Sequence, residues 1–507
     1  MKITFVYPDT YPDYPKWPGG FYFGIASLSS ILKGEGHQTS LIHITQPINK
    51  YDFIKRIRSD DPDLIGFSST SHHARFVKEL ASWLVEAKVE VPTIYGGIHP
   101  TIVAEESIAM DGIDMICRGE GEAALAELCH RIEKKQDTKD IENLWVKTDG
   151  KITRNPIRPL LDDLDRLPFP DRSIFNYSNL LDEREGVAVF LASKGCPYSC
   201  TYCTNHLLRK IYGKGSKTVR FRSVDNVIAE IKQVLYNYPH INSIIFHDDI
   251  LLLKRTWAEE FTEKYRSEIN IPFICNARAD VTDEAVVNLL KKAGCSHVKF
   301  GIESGNAEIR SRVLNRHMTN DQIKKAFALC RKAGLMTLSF NMVGIPYETP
   351  DTILDTIKLN ASIGVNYIQA TIYQPYQGTK LNELCREQNF YGSEGLGPSF
   401  YSPTVLKLNT LSPTQILMFK ENFRALTRYY QVLQKLPTVL SHIAIRFSDK
   451  ILSFNLTAHV LNLIHVPLNY LYLRCIQLKV KSKIAHLQAS NQKHLITLKG
   501  GHSEGKT

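Results

Sequence analysis

Three cysteines, Cys196, Cys200 and Cys203, lie in the run Lys194-Gly-Cys-Pro-Tyr-Ser-Cys-Thr-Tyr-Cys203, spaced C-x3-C-x2-C. That spacing gathers three thiolates on one short loop. Iron–sulfur clusters are usually held by four Cys thiolates, and structural zinc takes four N or S ligands. Three thiolates with no nearby fourth ligand indicate a [4Fe-4S] cluster with one open iron, free to bind a substrate or cofactor. Gly195 and Pro197 force a turn, and Tyr198 and Tyr202 can shield a cluster. Zinc completed by His206 is the alternative. The other seven cysteines stand singly and suit small buried side chains.

A loop of this kind must be positioned by regular elements. From Val187 onward, strand-like runs (187–192, 243–246, 273–276, 297–301, 337–343 and 367–373) alternate with helical ones (224–236, 283–293, 320–333 and 350–363). This predicts six β/α repeats, with the cysteine loop directly after the first strand. In β/α barrels the catalytic residues gather at the carboxyl ends of the strands. That face collects His247-Asp-Asp249, Asn276-Ala-Arg-Ala-Asp280, Gly301-Ile-Glu-Ser-Gly305 and Gly344-Ile-Pro-Tyr-Glu-Thr349. Asp248, Asp249 and Glu303 suit an ammonium and ribose hydroxyls, and Arg278 suits a carboxylate gripped bidentately.

The first 150 residues show a second alternation. Strands are predicted over 3–7, 64–67 and 92–95, with helices over 25–33 and 76–87. Strand–helix alternation predicts a doubly wound parallel sheet that binds ligands at its carboxyl edge. Two loops are candidates there: Ser68-Ser69-Thr70-Ser-His72-His73, and Gly96-Gly97-Ile-His99-Pro-Thr101. Residues 142 to 185 read as a connector with little regular structure, containing an Asp149-Gly150 hairpin turn and then Pro156, Pro159, Pro168 and Pro170.

Composition is that of a folded protein, at 43% hydrophobic and 22% charged residues over 507. The N-terminus shows no secretory pattern, and unpaired cysteines suit a reducing, cytoplasmic setting. The net charge of +10 is uneven. From Pro403 onward there are 14 Lys or Arg and three acidic residues, a net +11 that leaves −1 for everything before. After a helix predicted over 415–433, residues 451–473 lack Asp, Glu, Lys and Arg, and Asn455, His459, Asn462, His465 and Asn469 mark a polar stripe. This amphipathic pattern suits a helical cap over the barrel or a helix at a membrane surface. Arg474, Lys479, Lys481 and Lys483 follow and suit anionic headgroups. Aromatic residues are not interleaved with these charges, which argues against nucleic acid. Residues 500–507 are predicted to be disordered.

Residues 187 to 380 closely resemble the radical S-adenosylmethionine (SAM) enzymes, whose hallmark is the C-x3-C-x2-C loop. Residues 1 to 130 resemble the cobalamin-binding domain that precedes it in one large subgroup. The matching order is Asp63-Leu-Ile-Gly-Phe-Ser-Ser, Gly96-Gly-Ile-His-Pro-Thr, Arg118-Gly-Glu120-Gly-Glu122, Leu-Pro-Phe-Pro, the cysteines, then Gly-Ile-Glu-Ser-Gly. The chain is similar to class B methyltransferases and anaerobic porphyrin cyclases. The fold this implies is α/β: a flavodoxin-like cobalamin-binding domain (1–140), a linker (141–185), a partial (β/α)6 radical SAM barrel (186–400) and a basic helical region (401–507).

The resemblance also implies roles. Cys196, Cys200 and Cys203 ligate the [4Fe-4S] cluster, and SAM chelates the open iron. Tyr202 lies near the adenine, Asp248 and Asp249 face the ammonium, Arg278 joins the SAM site, Glu303 meets the ribose, and Gly344 and Ile345 meet the adenine. Ser68, Ser69, Thr70, Gly96, Gly97, His99 and Glu120 contact cobalamin. One-electron reduction by a donor such as flavodoxin or ferredoxin cleaves SAM to a 5′-deoxyadenosyl radical. The implied reaction is cobalamin-dependent methylation of an unactivated carbon of a small molecule; its class is unknown from the sequence, with lipids and acidic compounds as candidates. A radical cyclase or rearrangement enzyme and a non-catalytic cobalamin or iron–sulfur sensor are the alternatives. One departure stands out: the family's D-x-H-x-x-G has no counterpart in residues 8–20, which lack histidine. Cobalamin is therefore expected to bind without a histidine on cobalt.

Overall fold

The computed structural model describes residues 1–461, apart from 12, 13, 15, 214, 394, 398, 400 and 401. Seven strands come first: β1 (Lys2–Pro8), β2 (Gln38–Ile44), β3 (Leu64–Ser68), β4 (Thr93–Gly96), β5 (Met115–Cys117), β6 (Leu144–Thr148) and β7 (Lys151–Arg154). They form one sheet in the order β2-β1-β3-β4-β5-β6-β7, parallel through β5 and antiparallel beyond. β1 and β3 are buried almost throughout, which explains their unbroken apolar runs: helices cover both faces of a parallel sheet. The strand order reverses between β1 and β3, and ligands in such folds bind in the crevice at that point.

The structure corrects part of the connector prediction. Residues 144–154 form the β6–β7 hairpin at the edge of this sheet. Its two-residue turn has Asp149 at φ 51° and Gly150 at φ 73°, the left-handed pair that a type I′ turn needs. Only the stretch beyond it is irregular, with four short 3-10 turns between Leu164 and Glu185.

The second half holds β8 (Val187–Phe190), β9 (Ser193–Lys194), β10 (Arg220–Phe221), β11 (Ser243–Phe246), β12 (Phe273–Ala277), β13 (Cys295–Glu303), β14 (Met336–Val343) and β15 (Tyr367–Ile372). Six of them form an open parallel sheet in chain order, β8-β11-β12-β13-β14-β15, which is a half-barrel. β9 and β10 pair separately as a short antiparallel ribbon. Helix starts are set by sequence: Thr319 with Gln322 and Thr349 with Thr352 form capping boxes, and Pro350 occupies the first turn. Between sheet and helices, Phe190, Phe246, Phe261, Tyr265 and Phe273 build a fully buried aromatic core.

Helices Pro413–Leu433 and Thr438–Ser453 pack against helix Pro350–Ile363. Of the helix predicted over 451–473, residues 451–453 end helix Thr438–Ser453, extended backbone at Phe454 breaks it, and residues 455–461 are helical again. Its remainder, the basic residues after it and the predicted disordered end lie outside the described residues. Among the described residues, no helix is long and apolar enough to cross a membrane.

Candidate functional site

The cysteine loop leaves β8 and is held from several sides. Gly195 has φ 86°, and a Cβ there would sit 2.2 Å from the Thr218 carbonyl oxygen, so the turn requires glycine. Thr201 donates from Oγ1 to the Val313 carbonyl (2.6 Å) and from its N–H to that of Leu314 (3.1 Å). Asn315 Nδ2 donates to the Ser199 carbonyl (2.8 Å), and Arg209 Nη2 to that of Tyr198 (2.8 Å).

Donors surround the sulfurs. Arg278 Nη1 lies 3.9 Å and Arg316 Nη1 3.7 Å from Cys200 Sγ, and Asn205 Nδ2 lies 3.6 Å from Cys203 Sγ. Two guanidiniums beside one thiol suit an anionic thiolate cluster. Burial pushes the Cys203 thiol up to about 11, with Asp249 adding to it, and burial raises Cys196 as well. Iron binding must therefore displace protons from these thiols. Among the described residues, no three His, Cys, Asp or Glu side chains converge on a point fit for a single metal ion.

The carboxylates divide by role. Asp248 is fully buried and accepts the Ala192 N–H on both oxygens (3.1 Å each) and the Ser193 hydroxyl. It ties the end of β8 to the loop rather than facing open space, and burial pushes its pKa up to about 6. Asp249 is exposed to the site and accepts from Asn205 Nδ2 at 3.1 Å. Arg278 does grip a carboxylate bidentately, and it is that of Asp280 (3.0 and 2.9 Å), while its guanidinium lies 3.5 Å over the Tyr198 ring.

Glu303 ends β13 at φ 66°, in the left-handed region, after a register shift between Gly301 and Glu303. Backbone held in so sparsely populated a region costs on the order of 1–3 kcal/mol and clusters at functional sites. A Cβ at Gly301 would fall 2.4 Å from Glu303 Oε1, so this glycine makes room for the carboxylate. Burial raises the Glu303 pKa, opposed by Arg316 and Tyr202 beside it. Gly344 (φ 77°) faces Ile416, and the Ile345 N–H donates to Glu348 Oε2 at 3.0 Å. Arg316 and Asn205 were not anticipated from sequence. Nothing in the spacing of Arg310, Arg312 and Arg316 distinguishes the arginine that turns towards the cysteines.

Opposite the loop lies a cavity of about 330 Å³. The N-terminal domain contributes Gly66 from within β3 and Ser68, Gly96, Gly97 and Gly119 at or just beyond its strand ends, and the other side contributes Lys194, Cys196 and Asn205. Much of the wall is apolar, including Phe5, Tyr22, Leu28, Phe67, Ile94 and Leu208. Glycine shapes its floor: Gly97 has φ 98°, and a Cβ there would lie 2.8 Å from the Ser69 carbonyl.

Of the residues predicted for cobalamin, Ser68, Gly96, Gly97 and Glu120 line this cavity. The others turn into their own domain. Ser69 Oγ bonds Tyr95 Oη (2.6 Å), Thr70 Oγ1 meets His73 Nδ1 (3.2 Å), and His99 Nδ1 meets Ser71 Oγ (3.2 Å). Burial takes His99 down to about 4, so its ring is neutral. Glu120 also joins the two halves: Arg220 donates to it through both Nη atoms, and Lys194, two residues before Cys196, lies 3.3 Å away and also pairs with Glu122 (2.9 Å). His72 makes a second junction, meeting Tyr376 Oη through Nε2 and the Gly397 carbonyl through Nδ1, both at 2.8 Å.

Family models for the B12 binding domain and the radical SAM superfamily match residues 20–129 and 191–359. The chain is 30% identical over 394 residues to an uncharacterized methyltransferase of Pyrococcus horikoshii, covering 77% of this chain and 84% of that one. It is 25% identical over 393 residues to the anaerobic magnesium-protoporphyrin IX monomethyl ester cyclase of Rubrivivax gelatinosus, covering 74% and 68%. Its fold is shared with the radical SAM methyltransferase TsrM of Kitasatospora setae (TM-score 0.63, 18% identity, 76% of each chain). It is shared as well with the cobalamin-dependent SAM radical enzyme OxsB (TM-score 0.66, 16% identity, 89% of this chain and 72% of that one). With two matched modules in this order and a relative this similar over most of its length, the chain belongs to the radical SAM superfamily, in the group that carries a B12-binding domain ahead of the barrel.

Proposed function

We propose that this protein methylates an unactivated carbon of a small molecule, with a radical opening the C–H bond and cobalamin carrying the methyl group. The observation that carries this reading is the shared cavity: Cys196 of the cluster loop and the Ser68, Gly96 and Gly97 strand ends face one space. The family's cofactors are a [4Fe-4S] cluster, SAM and cobalamin. When bound, the cluster and SAM supply a 5′-deoxyadenosyl radical, and cobalamin supplies methyl-group chemistry.

The chain's own residues have distinct tasks. Cys196, Cys200 and Cys203 would hold the cluster, and Arg278 and Arg316 would offset the charge of the Cys200 thiolate. Asp249 takes the SAM ammonium, because Asp248 is spent on the Ala192–Ser193 backbone. Glu303, fixed by its strained backbone and by Arg316, takes the ribose hydroxyls. Tyr202 and the Gly344–Ile345 turn border the adenine. The apolar wall keeps water from the reacting carbon and protects the radical. His72 and His73 are bonded through both ring nitrogens, to Gly397 and Tyr376 and to Thr70 and Thr10 respectively, so they would serve the loop rather than a bound corrinoid. A small flavodoxin or ferredoxin is the proposed electron donor.

The test uses anaerobically reconstituted, cobalamin-loaded protein with reductant and SAM deuterated at its methyl group. The expected result is 5′-deoxyadenosine together with a labelled methyl group on the corrinoid. 5′-Deoxyadenosine without corrinoid label would favour a radical cyclase or rearrangement, and neither product would make the chain a sensor.

A further inference from the structure

Helix Thr438–Ser453 is apolar on two faces. Its inner face packs Ala444, Ile445 and Leu452 against the core, with Ser441 and Ser448 buried beside them. Its outer face is large and apolar: Val439, Ile443 and Phe447, each four residues apart, are 71%, 61% and 67% exposed, and Leu440 beside them is 57% exposed. A helix of a water-surrounded domain turns such a stripe inward. Polar ties hold this one in place: Asp449 accepts from Tyr430 Oη at 2.5 Å and pairs with Lys358 at 3.0 Å. The apolar character continues past the helix end, where Phe454 and Leu456 are 58% and 76% exposed.

Lys435, Arg446 and Lys450 stand exposed around this stripe. Large apolar residues rimmed by cations are the pattern of a helix lying in a membrane interface. Charge discriminates between occupants. Residues 474–507 carry seven Lys or Arg and one acid, so folding that segment back would set positive charge against a positive rim. A second copy would do the same. An anionic phospholipid surface complements both the rim and the segment that follows it. We propose that this face docks on anionic phospholipid, with Val439, Ile443 and Phe447 entering the headgroup boundary and Lys435, Arg446 and Lys450 meeting phosphates. The inference is independent of the reaction assigned above.

Full-length protein floated with phosphatidylcholine vesicles, with and without phosphatidylglycerol, tests it. Binding is expected only with phosphatidylglycerol and is expected to weaken at high salt. Replacing Ile443→Glu and Phe447→Glu together should lower the partition by about tenfold or more. Tyr236→Glu, at a tyrosine 88% exposed on helix Val224–Asn237, should leave it unchanged. Circular dichroism of the variants should match the parent, because the replaced side chains already face outward. Equal binding to neutral vesicles, no binding, or binding that the double substitution leaves intact would overturn the proposal. So would a dimer in solution that the double substitution dissociates, which would assign the face to a second copy.

Discussion

Two walls flank the cluster loop, and they are built in opposite ways. The barrel wall, behind the loop and outside the cavity lining, is made by charged groups that hold one another: Arg278 with Asp280, Arg316 beside Glu303 and Cys200, and Asp248 against the loop backbone. The wall from the N-terminal domain is made by leaving side chains out, at Gly66, Gly96, Gly97 and Gly119, among apolar neighbours. A charged wall can place a cluster and a zwitterion by electrostatics, and a glycine wall can admit a broad cofactor by shape. Damage to the first should therefore cost chemistry, and damage to the second should cost occupancy.

The largest effect should come from Cys200→Ala, which removes the thiol that both guanidiniums approach. 5′-Deoxyadenosine formation, followed by chromatography, should fall to background with the loss of cluster iron. Arg316→Gln should be next. It takes the cation from Glu303, and SAM cleavage should fall by about 100-fold. Losing the Arg316 Nη2 bond to the Gly301 carbonyl (2.6 Å) should also cost about 1–3 kcal/mol in denaturant unfolding. If cleavage held while stability fell, the barrel wall would be structural only.

Gly97→Ala probes the other wall. Its Cβ would crowd the Ser69 carbonyl at φ 98°, so cobalamin retention, read from visible absorbance after gel filtration, should drop about tenfold. SAM cleavage in cobalamin-free protein should be unchanged, and a matching fall there would erase the distinction between the walls. Asp248→Asn should lower stability by about 1–3 kcal/mol, because it weakens the bonds to Ala192 and Ser193, with KM for SAM unchanged. A raised KM at unchanged stability would return Asp248 to the ligand.

The last effect concerns pH. Glu348 is fully buried, and burial pushes its pKa from 4.5 up to about 8. Between those values the folded protein keeps a proton that the unfolded chain releases, so stability falls as pH rises through that window. Glu348→Gln should flatten this part of the Tm-against-pH curve, and an unchanged slope would place the titration elsewhere.

Much of the architecture was legible because it follows from local rules. Strand 243–246 and helix 350–363 have the predicted limits, since an apolar run and a Thr349-Pro350 start are local signals. The β6–β7 hairpin was read only as a turn, because its membership in the sheet depends on pairing with β5, about thirty residues earlier in the chain. Helix Arg255–Glu268 was missed, as its charged outer positions dilute the periodicity of Trp257, Phe261 and Tyr265. At the site, residue type predicted the acids and Arg278 but not their partners. Glu120 turns to Arg220 and Lys194, and Arg278 to Asp280. Each pairing is a matter of side-chain direction across elements.

By itself the sequence determined the three-thiol loop, its place after the first strand of a β/α series, and the glycine-marked strand ends ahead of it. Those are properties of spacing and backbone freedom, written locally. Only the tertiary structure decided that Asp248 serves the backbone while Asp249 faces the site, that Arg316 reaches Cys200 from 116 residues away, and that both halves close on one cavity. Long-range contacts depend on how packed elements aim their side chains, and spacing along the chain does not encode that direction.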